Sequence, residues 1–443
     1  MFRRHDAVAL LPTSYTPPVI RELRTIADSD RAAFVAVSFL YFFTLFGPKT
    51  LVGNVDVLAV ACVLSVLLWW RLIPRAITTA EFWFTGLAAG YILLVIALAG
   101  VPDLWWGMKP PRVLLNYVGV FVCVTYSLQR FGRQPTLLMF HNAVFAHAVI
   151  VLAMAFSPSF KMLIASLFGG VTKSTFQISG LTRGLALTSI VMMFPFVTYP
   201  LFAAMEHYRE KGIALKLLTI LAATFFMGRT GFYLCLALAA FVVGAFAISG
   251  RVTLRRGLAT AAMLTAVSAG VLFSVMPEES WLARIPVAQR LVQPIRHTFE
   301  PLANYRAGRG FTVASVTHIT SMPIVYHNET VVEVLFGTGL YGRGDPWTYL
   351  PTDVAYLHMF SAFGVIGVAL MCLAYVVSLP RHADLMNRPV YWATAAIILI
   401  TLIANFKETA LFTRHIYTVH VTLLAWLAHE RWTLHGQPGG PAR

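Results

Sequence analysis

Charge is what this chain has least of. Only 12% of its 443 residues are Asp, Glu, Lys or Arg, about half the share of a soluble domain, which excludes an ordinary water-facing surface. Cysteine is scarce too. The four present, Cys62, Cys123, Cys235 and Cys372, all sit inside apolar runs without metal-ligand spacing and read as small buried hydrophobes, silent about redox compartment. A cleavable signal peptide is missing from view: the first thirty residues are polar and basic (Arg3, Arg4, Arg21, Arg24) and precede a run that reads as a retained span. Acidic residues number 19 against 34 basic ones, leaving a net charge of +15. Such a surplus fits nucleic acid in principle, but the placement of the basic residues points to a membrane instead.

What is abundant is hydrophobic sequence, 58% of the chain, with a mean hydropathy of +0.71. Apolar runs of about 20 residues, long enough to cross a ~30 Å hydrocarbon core, recur from end to end. The expected fold is all-α, a polytopic integral membrane protein of about twelve transmembrane helices, at 32–47, 52–71, 81–100, 113–129, 137–156, 184–205, 214–228, 230–249, 257–276, 353–378, 390–405 and 409–429. The seventh is short enough to be tilted or partly broken. Alternate connections are basic: Arg71 and Arg75; Arg130 and Arg133; Arg209, Lys211 and Lys216; Arg251, Arg255 and Arg256; Arg381 and Arg388. By the positive-inside rule these, and both termini, are expected in the cytoplasm.

The expected organisation is a cytoplasmic tail at 1–31, nine spans over 32–276, one large extracytoplasmic loop at 277–352, three more spans over 353–430 and a cytoplasmic tail at 431–443. The other outer connections include "VPDLWWGMKPPR" (101–112), whose tryptophan pair reads first as an interfacial anchor. A loop of about 75 residues beside short ones is usually functional or disordered. Its apolar and aromatic content (Trp281, Phe299, Tyr305, Phe311, Trp347) favours order, as short helices at the outer membrane surface.

Several outer charges stand out. Arg229, in "FFMGRTGFYLCL", occupies a turn almost too short to clear the headgroups, at the end of a helix dipole that disfavours cations. Arg183, in "QISGLTRGLAL", presents the same puzzle. Arg306 and Arg309, in "NYRAGRGF", lie between glycines that permit close backbone approach. A snorkelling side chain or a solvated turn explains each singly; together the four suit a pyrophosphate or carboxylate, which arginine grips bidentately. Asp353 stands at the threshold of a late span. Beside Thr352 it has the chemistry of a helix cap, and capping alone favours that structural role. Gly364 and Gly367 follow, small residues that let helices pack closely in lipid.

Several of these segments resemble the O-antigen ligase and polymerase superfamily, membrane glycosyltransferases that act on undecaprenyl-pyrophosphate-linked sugars. "GRTG" (228–231) is similar to that family's "SRTG". "QISGLTRGLALTS" is similar to its "sG" helix start, and "AGRGFTVASVTHI" with "LFGTGLYG" is similar to its "sGR" loop followed by a G-G turn. In the ligases a His-Asn pair precedes G-x-x-G by nine residues. Asp353-Val354 takes that place here, ahead of Gly364 and Gly367. The likeness covers roughly 176–370, in a GT-C-like arrangement. Replacement of the ligase histidine by aspartate leans towards a polymerase. The nearby His327-Asn328 pair is one residue out of register with Gly339 and Gly342, leaving His327, Glu329 and His358 as reserve candidates.

The resemblance implies a catalytic Asp353 that accepts the proton of a sugar hydroxyl, with Arg229, Arg309, Arg183 and Arg306 binding the departing diphosphate. It implies neither metal nor cofactor, since the donor is already activated. Implied partners are undecaprenyl-pyrophosphate-linked glycans, membrane lipid, a chain-length regulator and a flippase, with no nucleic acid. The implied location is the bacterial cytoplasmic membrane. Two alternatives stay open: an O-antigen ligase, and a transporter of polysaccharide or a small molecule.

Overall fold

The computed structural model describes residues 28–50, 55–100, 109–168, 182, 184–185, 190–206, 208, 210, 212–228, 232, 235, 330–339, 355–406 and 411–435. Among these the chain is helical, with no strand beyond two isolated bridges, Lys49–Asp56 and Thr50–Phe168. Spans expected at 230–249 and 257–276, and most of the loop at 277–352, lie outside the described residues.

The helices are α1 (Asp28–Phe46), α2 (Val57–Leu68), α3 (Ile73–Ile77), α4 (Ala80–Leu98), α5 (Lys109–Phe131), α6 (Arg133–Phe156) and α7 (Pro158–Leu167). A 3₁₀ turn at Ile190–Met193 leads into α8 (Phe194–Met205), then α9 (Ile213–Met227), α10 (Val331–Phe336), α11 (Ala355–Val376), α12 (Ser378–Arg381), α13 (Pro389–Ala404) and α14 (Arg414–His435). Among the described residues four segments are long and apolar enough to cross a membrane: Ala80–Leu98, Pro110–Phe131, Arg133–Phe156 and Ala355–Arg381. Three shorter apolar segments, Ile190–Met205, Ile213–Met227 and Pro389–Ala404, accompany them.

The expected straight span at 52–71 is not straight. Its helix stops at Leu68, and the pair Val57–Leu68 and Trp70–Ile77 is bent by 87°. Pro74 supplies the cause: it has no N–H for Trp70, and its ring would strike the Trp70 carbonyl of a continued helix. It sits instead in the first turn of α3, where the missing donor costs nothing. The helix at the last expected span also runs further, through His435 rather than 429.

The bundle is turned inside out relative to a soluble protein. α4, strongly apolar, exposes Trp83, Leu87, Leu94 and Leu98. α14, rich in histidine and threonine, is buried along most of its length, including His415, Thr418, His420 and Thr422. When lipid is the solvent, apolar side chains face outward at no cost and polar ones need protein partners. α14 finds them: the Tyr417 hydroxyl lies 2.7 Å from that of Thr85, Tyr41 donates to Thr422 at 3.2 Å, and the His420 ring stacks on Tyr375 at 4.4 Å. α5 packs against α14 on one side and α2 on the other, and at the second crossing a Cβ on Gly119 would collide with Cys62. The four cysteines are free thiols, three of them buried.

Hydrogen bonds sort the helix ends into two faces. One gathers the start of α1, the end of α5, the start of α6, the connections after α3, α8 and α12, and the end of α14. Arg130 pairs with Asp30 at 2.5 Å, Arg133 pairs with Glu430 and Glu206, and the Arg75 guanidinium lies over the Trp432 ring. The other face gathers the end of α1 and the starts of α2, α5 and α14 around Asp56. Among the described residues, the basic connections therefore share one face.

Candidate functional site

Two of the glycine segments singled out above meet on the Asp56 side of the molecule. α11 is broken at Gly364, whose φ of +62° is a left-handed conformation that favours glycine. The break strands carbonyls of the preceding turn, which need donors inside a membrane. Residues Thr338 and Gly339 supply them. The Thr338 amide and hydroxyl donate to the Ser361 carbonyl at 2.8 and 3.0 Å, and the Gly339 amide donates to the Ala362 carbonyl at 2.8 Å. The Tyr91 hydroxyl, from α4, donates towards the carbonyls of both Phe336 and Phe363 at 3.1 Å.

The fit is reciprocal. A Cβ on Gly364 would strike the Leu335 carbonyl, and one on Gly337 (φ +82°) would strike the Ala362 carbonyl. Thr330 and Glu333 form a capping box that starts α10, so both ends of this short helix are locally specified. Its Val331, Val332, Leu335 and Phe336 stay exposed, as suits lipid contact. Gly367 completes the segment, packed against Phe363 and Tyr91.

On the same face Asp56 organises a charged cluster. It caps α2, accepting from the Ala59 amide at 3.3 Å, while Arg112 donates to one carboxylate oxygen at 3.3 Å and Arg414 to the other at 2.9 Å. The Arg414 side chain is only 7% exposed. Its Nε donates to His415 Nε2 at 3.0 Å, which leaves His415 Nδ1 as the protonated nitrogen that donates to the Leu45 carbonyl at 2.7 Å. Lys49 completes the group. Burial pulls its ammonium down to about 8, Arg112 and Arg414 push the same way, and Asp56 opposes them. Asp56 thus takes both arginines, and Lys49 lies close enough to feel all three charges.

A second stretch reaches towards this face. His147 stacks on Phe46 at 4.3 Å and accepts the Leu185 amide at 3.0 Å. Gly184, at φ +62°, packs so closely on His147 and Val151 that a side chain there would collide. The Thr182 amide donates to the Phe226 carbonyl at 2.9 Å, joining the TRG segment (182–184) to the end of α9 just before Gly228.

Asp353, Arg229, Arg183, Arg306, Arg309, His327 and Glu329 lie outside the described residues; His358, in the first turn of α11, is the one candidate within them. Asp56, Arg112 and Arg414 were missed by the sequence reading. The signal for two of them was available: Asp56 and Arg414 fall inside the expected spans 52–71 and 409–429, where an ionisable residue is a site candidate by default. The chain matches no protein-family profile and no curated protein.

Proposed function

We propose that this protein polymerises undecaprenyl-pyrophosphate-linked oligosaccharide repeat units into O-antigen, capsule or exopolysaccharide at the outer face of the bacterial cytoplasmic membrane. The observation that carries the proposal is the meeting of "GTG" (337–339) with Gly364. Two segments quoted for the family resemblance, distant in sequence, are hydrogen-bond partners in the fold. The basic connections gathered at the opposite face support its assignment to the cytoplasm, with both termini.

In this reading Asp353 takes the proton from the acceptor hydroxyl as that oxygen bonds to the anomeric carbon, and the bond to the diphosphate breaks with its electron pair leaving on phosphate oxygen. Arg229, Arg183, Arg306 and Arg309 neutralise that charge, and Arg112 and Arg414 add to the positive field. Direct displacement inverts the anomeric configuration. The donor's pyrophosphate is a good leaving group, so the chemistry calls for neither nucleotide nor redox cofactor.

The experiment is a polysaccharide ladder from cells carrying Asp353→Asn or Arg229→Ala at normal membrane levels. A polymerase variant leaves one repeat unit on the acceptor; a ligase variant leaves a bare acceptor; a transporter variant traps lipid-linked units inside. Full-length polymer from Asp353→Asn reduces Asp353 to a helix cap and sinks the assignment. The transporter reading keeps one observation in its favour, the line of buried polar side chains along α14, and the third outcome is its test.

A further inference from the structure

The face opposite Asp56 carries a cavity of about 360 Å³ with a polar floor. Its rim holds Arg381, Arg431, His435 and Trp432, and its floor holds Glu81 and His382. His382 is 4% exposed, and among the described residues its Nδ1 has no hydrogen-bond partner. Its Nε2 lies 3.3 Å from Glu81 Oε1, and Glu81 is 2% exposed. A buried imidazole nitrogen with no partner calls for one from outside the chain, and a ring N–H there would take an acceptor. The rim supplies the charge that such an acceptor would bring with it. Arg381 faces solvent, while Arg431 and His435 share the single Asp384, at 3.7 and 3.0 Å.

We propose that this cavity binds a phosphate ester, with His382 Nδ1–H donating from the floor and the Arg381 and Arg431 guanidiniums closing on the remaining oxygens. Glu81 lies behind His382, 3.3 Å from its other ring nitrogen. The chemistry is shared by two sources, the headgroup of an anionic phospholipid and a soluble phosphate. Trp432, held under the Arg75 guanidinium at 5.3 Å, places an amphipathic ring at the cavity rim, which suits a headgroup level in the membrane. The site lies on the other face from the proposed glycosyl transfer and does not depend on that reading.

Full-length protein in a neutral detergent would be titrated with a short-chain phosphatidylglycerol, with the phosphate-free diacylglycerol of the same chains, and with inorganic phosphate. Thermal unfolding reports binding. Saturable stabilisation by phosphatidylglycerol but not by diacylglycerol is expected, weakened at least tenfold in Arg381→Gln and in His382→Gln. Stabilisation by inorganic phosphate as well would assign the soluble source; by the phospholipid alone, the headgroup. Arg381 is exposed, so its variant folds even if His382→Gln does not. No saturable shift with either phosphate compound, or an equal shift in Arg381→Gln, overturns the proposal.

Discussion

The two faces of the bundle solve the problem of charge at a membrane boundary in opposite ways. On one, Glu206, Glu210, Glu430, Asp30 and Asp384 answer Arg130, Arg133, Arg388, Lys216 and Arg431 almost one for one. On the other, among the described residues, Asp56 takes both Arg112 and Arg414 and lies near Lys49. A distributed network of pairs can lose one member and keep the rest. Around Asp56 a single carboxylate ties the starts of three helices together, so damage there is shared by all of them. The difference therefore separates a distributed lock from a concentrated one.

Breaking the comparison begins at Arg414. Arg414→Ala leaves the Asp56 carboxylate short of its better-buried partner, and a loss of roughly 3–5 kcal/mol is expected in denaturation from mixed micelles. The double variant Asp56→Asn with Arg414→Gln should be less damaged than Arg414→Gln alone; equal damage would mean that the pair is not coupled. Next comes Gly364→Ala. The left-handed conformation alone costs roughly 1–3 kcal/mol, before the collision with the Leu335 carbonyl is counted. Glutamine at Glu430 should cost less than the loss of Arg414. Its partners Arg133 and Arg388 have side chains about a third exposed and can return to water, so about 1–2 kcal/mol is expected. A larger loss at Glu430 than at Arg414 would invert the picture drawn here.

Both faces should gain stability as pH rises, one in the acid range and the other in the basic range. Burial raises the Glu210 carboxyl, but hydrogen bonds and charge from His141 and Lys216 outweigh it and hold the group at about 2. A depressed carboxylate stabilises the fold above its ordinary range near 4.5, and that stability is lost as pH falls towards about 2. Thermal stability of the parent protein should thus fall more steeply on acidification than that of Glu210→Gln. Lys49 is a depressed lysine, so its contribution grows as pH rises from about 8 towards 10.5, and Lys49→Gln should flatten that rise. The smallest effect is expected at the exposed Arg130–Asp30 pair, where Arg130→Ala should leave the unfolding midpoint unchanged.

Much of the helical order was readable from hydropathy, because a run of apolar residues about 20 long has few alternatives in lipid. α4, α6 and α13 fall within a few residues of their expected limits. The bend after Leu68 was not foreseen: hydropathy continues across it, and only Pro74 marks where the helix ends. The importance of α14 was hidden for a related reason. Its polar residues make it the least membrane-like of the long helices by composition, whereas burial by neighbours makes it central. At the site, glycine spacing was legible and pairing was not. Nothing local in "LFGTGLYG" says that its amides will serve carbonyls of "FSAFGVIG", since that depends on a tertiary approach. Asp56, Arg112 and Arg414 escaped because each looks like an ordinary helix-start charge until the three are seen together.

Because Thr338 and Gly339 engage α11 mainly through peptide groups, scanning by side-chain truncation would pass over this junction almost silently. Its sensitivity is to added bulk and to severed chain. A single methyl group at position 337 or 364, or a cut beside residue 339, would detach the carboxyl end of α10 from the helix break it covers and leave the Ser361 and Ala362 carbonyls bare within the bilayer.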